Sequence, residues 1–555
     1  MSPPNAAILY APDGYETSGR QIMGRHAAGE GFLKAFVGHS GVARLHCFAA
    51  NEAHARRFAQ VVKAWGSTSE VRWTSFGKPA GLREAGCLYL PGPGLAEQAW
   101  ARRWEDNRAF SLCGVTHTTA SANAMDALAG CLTAPLQTWD AIICTSAAVR
   151  TSVEVLLQDQ ERYLRDRFGA TRTPRPQLPV IPLGVDCNAI SLSPDDRVRW
   201  RSQLGIAEDH LAVLYMGRLS FHAKVHPLAG YLALQAAATR TGKTVHLIMA
   251  GWFANEAIEQ AFRDGAKTFC PDVRVHFVDG CEEAVRREIW AAADVFTSLS
   301  DNIQETFGLS PLEAMAAGLP VVATDWDGYR DTVRDGVDGI LVPTWLAPAG
   351  WGRGLAMRFA LGEDSYDQYI GQVCQFGSVD VEATAEAFVR LFLDEGLRRR
   401  MGEAGQKRAR ETYDWPCIVG RYQALWAELA ELRSQCEESV PRAANAVGQP
   451  TRPDPFSVFA CYPTHALRPE DKVRWIPART WEMLDVTRQH SLVSYARRVL
   501  PSDAALRSLV GVLVSLGETD VQTVAKGLAP GAERWVPQAL VWLHKLGFVT
   551  LVREA

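Results

Sequence analysis

Glu305-Thr-Phe-Gly-Leu-Ser-Pro-Leu-Glu-Ala-Met-Ala-Ala-Gly-Leu-Pro-Val-Val-Ala-Thr324 contains a whole helix-to-strand unit. Ser310, Pro311 and Glu313 fit an N-cap, a first-turn proline and a capping-box acid, and Gly318 fits the residue that ends a helix. The apolar run up to Thr324 then reads as a buried strand. A helix that starts this way directs unpaired amides and the positive end of its dipole at a ligand. Gly308 lets backbone approach closely, so the segment is a ready diphosphate site, with Glu305 just upstream facing the same ligand.

The same alternation extends in both directions. Short apolar runs at 6–12, 44–49, 71–76, 87–90, 110–117, 141–145 and 180–185 are separated by helical stretches, and a second series follows at 212–219, 244–250, 274–278, 294–299, 320–324 and 339–342. The fold class expected is therefore α/β, with two Rossmann-like domains facing a cleft. The first spans 1–190 and the second 191–436, joined where Pro182, Gly184 and Pro194 interrupt the pattern. Residues 345–376 read as an insertion, and a helix from Pro416 to about Gln435 closes the second domain. A Pro- and Ala-rich linker over 437–455 leads to a small, mainly helical domain over 456–555. Ligands of open α/β sheets bind beyond the carboxyl ends of the strands, so the loops after Pro12, His117, Gly217, Gly251 and Asp301 are expected to converge.

Composition sets the outer bounds. In 555 residues, 47% are apolar and 22% charged, as in ordinary globular proteins, and a formal charge of −4 makes no electrostatic case for nucleic acid or an anionic membrane. There is no signal-peptide pattern and no run of about 18 apolar residues. Twelve cysteines are scattered without zinc-ligand spacing, mostly in strand-like runs, and read as buried thiols of a reducing compartment, so the expected location is cytoplasmic.

Several motifs occur together and in order: Val180-Ile-Pro-Leu-Gly-Val-Asp186, Met216-Gly-Arg-Leu219, Gly251 after its strand, the spacing from Glu305 to Glu313, and Tyr413-Asp-Trp415 before the closing helix. Across 180–430 the chain resembles family 4 of the nucleotide-sugar-dependent glycosyltransferases, which have the GT-B fold. The resemblance implies transfer of a sugar from a nucleotide-diphosphate donor, most commonly a UDP-sugar, to an acceptor hydroxyl with retention of anomeric configuration. It implies no separate catalytic base, no cofactor and no metal.

By that resemblance Glu305 binds donor-sugar hydroxyls and Glu313 the ribose hydroxyls. Thr306, Phe307, Gly308 and Leu309 lie against sugar and phosphate, and Gly217 and Gly251 belong to the donor-binding loops. Arg218 and Lys224 neutralise the leaving diphosphate, where charge develops as the glycosidic bond breaks. The stretch from Arg218 to Lys224 is one residue longer than the commonest family spacing. Gly19, in the loop after the first strand, is the candidate glycine against donor and acceptor, and His117 is placed beside the reacting sugar. Asp325-Trp-Asp327 resembles a metal-binding D-x-D, but it sits at a turn completed by Gly328 and is read as structural.

Two other readings remain open on the sequence: a nucleotide-sugar epimerase of the same fold, and a non-catalytic nucleotide-sugar-binding partner protein. The acceptor is a glycan, a lipid-linked sugar, a polypeptide or a small molecule. In 456–555, helical signals at 503–517, 519–529 and 531–546 precede a strand-like 548–552, a winged-helix-like order. Twelve basic against nine acidic residues, and a third helix rich in Trp, Val and Leu, argue against DNA and leave open the docking of a protein or peptide or a module packed on the larger part for stability.

Overall fold

The computed structural model describes residues 3–15, 24–190, 193–439, 441–443 and 446–553, and of Arg25 only the backbone. The chain divides after Gln449 into two units. The larger holds two parallel six-stranded sheets, each flanked by helices, so it is an α/β protein of two Rossmann-like halves.

The first sheet is built from β1 (Ala7–Leu9), β2 (Arg44–Ala49), β3 (Glu70–Ser75), β4 (Cys87–Tyr89), β5 (Ser111–Val115) and β6 (Ala141–Ile143), in the order β3-β2-β1-β4-β5-β6. The second has β7 (Leu211–Met216), β8 (Val245–Gly251), β9 (Arg274–Asp279), β10 (Val295–Ser298), β11 (Val321–Thr324) and β12 (Gly339–Val342), in the order β12-β11-β10-β7-β8-β9. Both orders reverse direction beside the first strand of the half, which opens a crevice at the carboxyl ends. Central strands such as β7 and β8 are buried along their whole length, as both-face coverage by helices requires.

One polar device lies inside the first core. Arg102 and Asp140 are fully buried and form a two-pronged ion pair at 2.6 and 2.7 Å. Asp140 also accepts the Leu112 and Gln137 amides, both at 2.8 Å, so its remaining lone pairs are satisfied.

Two expectations about local structure are corrected. Residues 180–185 form isolated bridges, Cys144 to Val180 and Val185 to Asp414, in place of a strand, because Pro179 and Pro182 have no amide to give a ladder. The helix after Glu305 spans Leu309–Ala316 with Gly308 at its N-cap, so it starts earlier than a Ser310 cap would allow. Gly308 has φ +86° and needs no side-chain cap to turn the chain, while Gly318, with φ +76°, terminates the helix as expected.

The closing helix, Trp415–Gln435, packs on the first half and not on the second. Trp415, Ile418, Tyr422 and Trp426 share a core with Ile8, Phe32, Phe36 and Tyr89. A Cβ on Gly184 would come within 2.4 Å of the Trp415 ring and one on Gly31 within 2.9 Å, so both glycines make room for it. The chain therefore crosses between the halves twice, near 185 and near 414. The two crossings bond to each other: the Val185 amide donates to the Tyr413 carbonyl at 2.9 Å, and the Trp415 amide to the Val185 carbonyl at 3.2 Å.

The inserted segment forms an antiparallel pair, β13 (Thr344–Leu346) and β14 (Gly377–Val379), enclosing the helices Arg353–Ala360 and Tyr366–Cys374. Residues expected to link the domains loosely are instead strapped to the first half. Glu438 accepts from Asn107 at 2.8 Å, and the Ser439 amide donates to Gln137 at 2.8 Å. Arg442 reaches the Arg103 carbonyl at 3.1 Å.

The smaller unit, Pro450–Ala555, carries the helices Asp503–Leu516, Val521–Lys526 and Val536–Lys545. Its sheet has the order β16 (Thr519–Asp520), β15 (Lys472–Trp475), β17 (Val549–Val552), all antiparallel. The third strand comes from before the helices. Val536, Ala539, Leu540 and Leu543 of the last helix are buried, which makes it a packing helix, as its sequence suggests. Among the described residues no helix is long and apolar enough to cross a membrane. The twelve cysteines are free thiols, eight of them buried.

Candidate functional site

The carboxyl ends of β7, β8 and β10 bring the predicted residues together. After β7 the chain turns at Gly217 against Gly251 at the end of β8. A Cβ on Gly251 would lie 1.9 Å from the Gly217 carbonyl oxygen, so the two loops can meet only through glycine. The loop from Arg218 to Lys224 absorbs its extra residue in a turn, with the Lys224 and Val225 amides both donating to the Ser220 carbonyl, at 3.0 and 3.2 Å.

That turn delivers the Lys224 ammonium to Glu305 Oε2, an ion pair in which the carboxylate is almost wholly buried. Burial pushes the Glu305 pKa up, but the Lys224 charge and hydrogen bond, helped by the Thr306 and Phe307 amides, hold it below the ordinary glutamate value. The Tyr329 hydroxyl, 3.4 Å away, completes its surroundings and also bonds Ser298 at 2.7 Å.

Arg218 lies in the same network but faces another partner. Its Nη2 donates to Gln304 Oε1 at 2.6 Å and to the Ala223 carbonyl at 2.7 Å. Gln304 Nε2 in turn donates to the Tyr366 hydroxyl at 3.0 Å, so the inserted segment reaches the site. Neither Gln304 nor Tyr366 carried a sequence signal, because the contact spans 62 residues of chain.

Gly308 is fixed by sterics as well as by its dihedral. A Cβ there would stand 2.0 Å from the Tyr329 ring. Gly328, read in the sequence only as completing a turn, is equally constrained, since its Cβ would fall 2.5 Å from Phe307 Cα. Phe307 itself is buried in the second core, which leaves its backbone as the part that can meet a ligand, while Leu309 is partly buried beside it. The Glu313 side chain has no hydrogen-bond partner among the described residues. Burial pushes its pKa up to about 7, against the opposing charges of Arg286 and Lys224. An unpartnered carboxyl of this kind is an acceptor waiting for hydroxyl donors.

The first half closes over this loop. Thr306 Oγ1 donates to the His117 carbonyl at 3.1 Å, and Thr145 Oγ1 to the Thr306 carbonyl at 3.4 Å. His117 thus adjoins the Glu305 loop, two residues beyond β5 and not within it. The Ser146 hydroxyl donates to Asp327 Oδ1 at 2.8 Å, and the Ala147 amide to Asp331 Oδ2 at 2.6 Å. The N-terminus of the helix Ala147–Phe168 is thereby held between two carboxylates of the opposite half, where its dipole favours negative charge. Asp325 pairs with Arg330 instead, so the two acids of the D-x-D tripeptide point to different partners. Gly19 lies outside the described residues.

Parts of the chain are similar to known glycosyltransferases. The D-inositol 3-phosphate glycosyltransferase of Geodermatophilus obscurus is 38% identical over 194 residues, which is 33% of this chain and 40% of that protein. The phosphatidyl-myo-inositol mannosyltransferase of Mycobacterium leprae is 30% identical over 164 residues, 29% of this chain and 34% of its own. The chain thus spans about two-fifths of the length of the curated relative it matches first. Among solved structures, the HepE protein of Anabaena in complex with UDP and glucose is 18% identical with a TM-score of 0.49, over 76% of this chain and 100% of that one. The model of the family described as glycosyl transferases group 1 matches residues 196–349, the segment that supplies Gly217, Arg218, Lys224, Gly251, Glu305 and Glu313.

Proposed function

We propose that the chain is a glycosyltransferase that moves a sugar from a nucleotide-diphosphate donor, a UDP-sugar by preference, to an acceptor hydroxyl with retention of configuration. The observation that carries this reading is the buried, ionised Glu305 beside Lys224, on the loop where Gly308 opens the amides of a helix N-terminus. The donor diphosphate draws Lys224 from Glu305 and meets Arg218 and the amides at Leu309. Released from its ion pair, Glu305 accepts sugar hydroxyls while Glu313 accepts those of the ribose. As the glycosidic bond breaks, the new phosphate charge falls among cations and amides already fixed in place, so neither metal nor cofactor is required. The acceptor enters from the first half, where the His117 loop adjoins Thr306. Eight buried free thiols fit a reducing compartment, the cytoplasm. The smaller unit serves as a protein- or peptide-docking module.

The test is thermal unfolding with a panel of nucleotide sugars. A donor at about 100 times its Kd adds roughly 2.7 kcal/mol of stability. One donor should stabilise the protein, and Glu305→Ala and Glu313→Ala should abolish the effect. No stabilisation by any donor would overturn the reading, and conversion of the donor sugar without an acceptor would replace transfer by epimerisation.

A further inference from the structure

The first half carries a separate cavity of about 310 Å³, lined by Trp100, Arg103, Thr133, Pro135, Arg172 and Ser439. It lies at the opposite end of the sheet from the cleft. Thr133 and Pro135 belong to the turn entering β6, Arg103 to the end of the helix that leads into β5, and Arg172 to the loop after the helix that runs back from β6. The cleft residues His117 and Thr145 sit at the carboxyl ends of those same strands.

The cavity's charge is uncompensated. Among the described residues neither Arg103 nor Arg172 has a carboxylate partner. Arg102 next in sequence is locked to Asp140, and Arg201 of the second half to Asp294, which is how this protein treats its structural arginines. Arg103 Nε is buried and bonded to nothing, while the guanidinium lies 5.6 Å from the Trp100 ring centroid. A buried donor left without an acceptor is costly to a fold, and nothing in the surrounding packing, among the described residues, offsets it. Two guanidinium forks and the Ser439 hydroxyl suit the oxygens of a phosphoryl group, while the Thr133 hydroxyl is committed to the Gly130 carbonyl at 3.1 Å and the indole and Pro135 offer an apolar wall. The volume is at the lower end of the range for small-molecule sites.

We propose that this cavity binds a small phosphorylated metabolite, its phosphoryl group between Arg103 and Arg172 and its body against Trp100. The site is independent of the glycosyl-transfer reading. One wall is the strap that leaves the closing helix: Ser439 lines the cavity, and Arg442 bonds the carbonyl of Arg103. Occupancy therefore tightens the strap at Ser439 and Arg442.

Calorimetric titration of the full chain with glucose 6-phosphate, with inorganic phosphate in parallel, tests this. Saturable binding is expected, tighter for the sugar phosphate. Arg172→Ala, at an exposed position, and Arg103→Ala should each weaken it at least tenfold, and Arg218→Ala in the cleft should leave it within twofold. Amide exchange over 437–443 should slow on binding. Affinity lost in Arg218→Ala and kept in Arg172→Ala would place the phosphate in the cleft and overturn the proposal. So would equal affinity for inorganic phosphate, or no saturable binding of either probe.

Discussion

Ser146 holds two positions with one hydroxyl: it accepts the Val149 amide at 3.1 Å as the N-cap of its helix and donates to Asp327 across the cleft at 2.8 Å. Asp327 sits at φ +42°, a conformation unusual for a residue with a side chain, and its carboxyl is pushed up to about 7. Burial is the main cause, the Glu305 and Asp331 charges add to it, and the Ser146 bond opposes it.

Ser146→Ala should cost about 1–2 kcal/mol, the loss of a cap together with a part-buried hydrogen bond, measured by denaturant unfolding. The pH dependence has a definite sign. An unfolded aspartate titrates near 3.9, about three units below Asp327, so between about pH 4 and 7 the native state binds the extra proton and this site's contribution to stability falls as pH rises. Asp327→Asn should remove that slope and, since asparagine tolerates positive φ, leave stability at neutral pH unchanged or higher. An unaltered pH profile would sink the assignment.

Donor affinity should rise with pH through about 7, because Glu313 accepts hydroxyls best when ionised and its carboxyl titrates there in the empty site. Calorimetric Kd values between about pH 5.5 and 8.5 should improve about tenfold and then level off. Glu313→Gln should bind more weakly at high pH and flatten the curve.

A row of three histidines crosses the second sheet. His210 Nδ1 lies 3.0 Å from His246 Nε2, and His246 Nδ1 lies 2.9 Å from His276 Nε2, with the rings stacked. The central His246 ring, when neutral, can give one proton and take one in this row. Burial, with the neighbouring histidines and Arg274, lowers the His246 pKa to about 4. An unfolded histidine titrates near 6.5, so the unfolded chain gains the proton first and stability should fall as pH drops from about 6.5 to 4. His246→Leu should flatten this acid limb while lowering the midpoint of thermal unfolding at pH 8, since His210 and His276 each lose a partner.

The sheets were legible because their central strands are buried and mostly apolar, and even β2, with Arg44 and His46, and β12 fall on the expected residues. Residues 180–185 look apolar too, but prolines remove the amides a strand needs. The Glu305 loop was legible for a local reason, the glycine, helix and strand packed into twenty residues. What sequence could not reveal is every contact made at long range. Tyr329 and Gln304 around the two key charges, Asp327 against Ser146, and the attachment of Trp415–Gln435 to the first half are set by tertiary packing and leave no periodicity or spacing behind. The helix start was misread because Ser-Pro-x-Glu satisfies the capping pattern on paper, while Gly308 turns the chain before it.

The bonds that stitch Val185 to Tyr413 and Trp415 have a mechanical meaning. Two polypeptide crossings fastened side by side make one pivot between the halves. Sliding one half past the other would tear both backbone bonds, whereas turning about the seam strains neither, so the soft motion is a rotation. Alignment of Thr306 with His117, and of Asp327 with Ser146, then becomes a matter of a single angle. The setting of the two halves is then one hinge angle, read simultaneously by every hydrogen bond that spans the cleft.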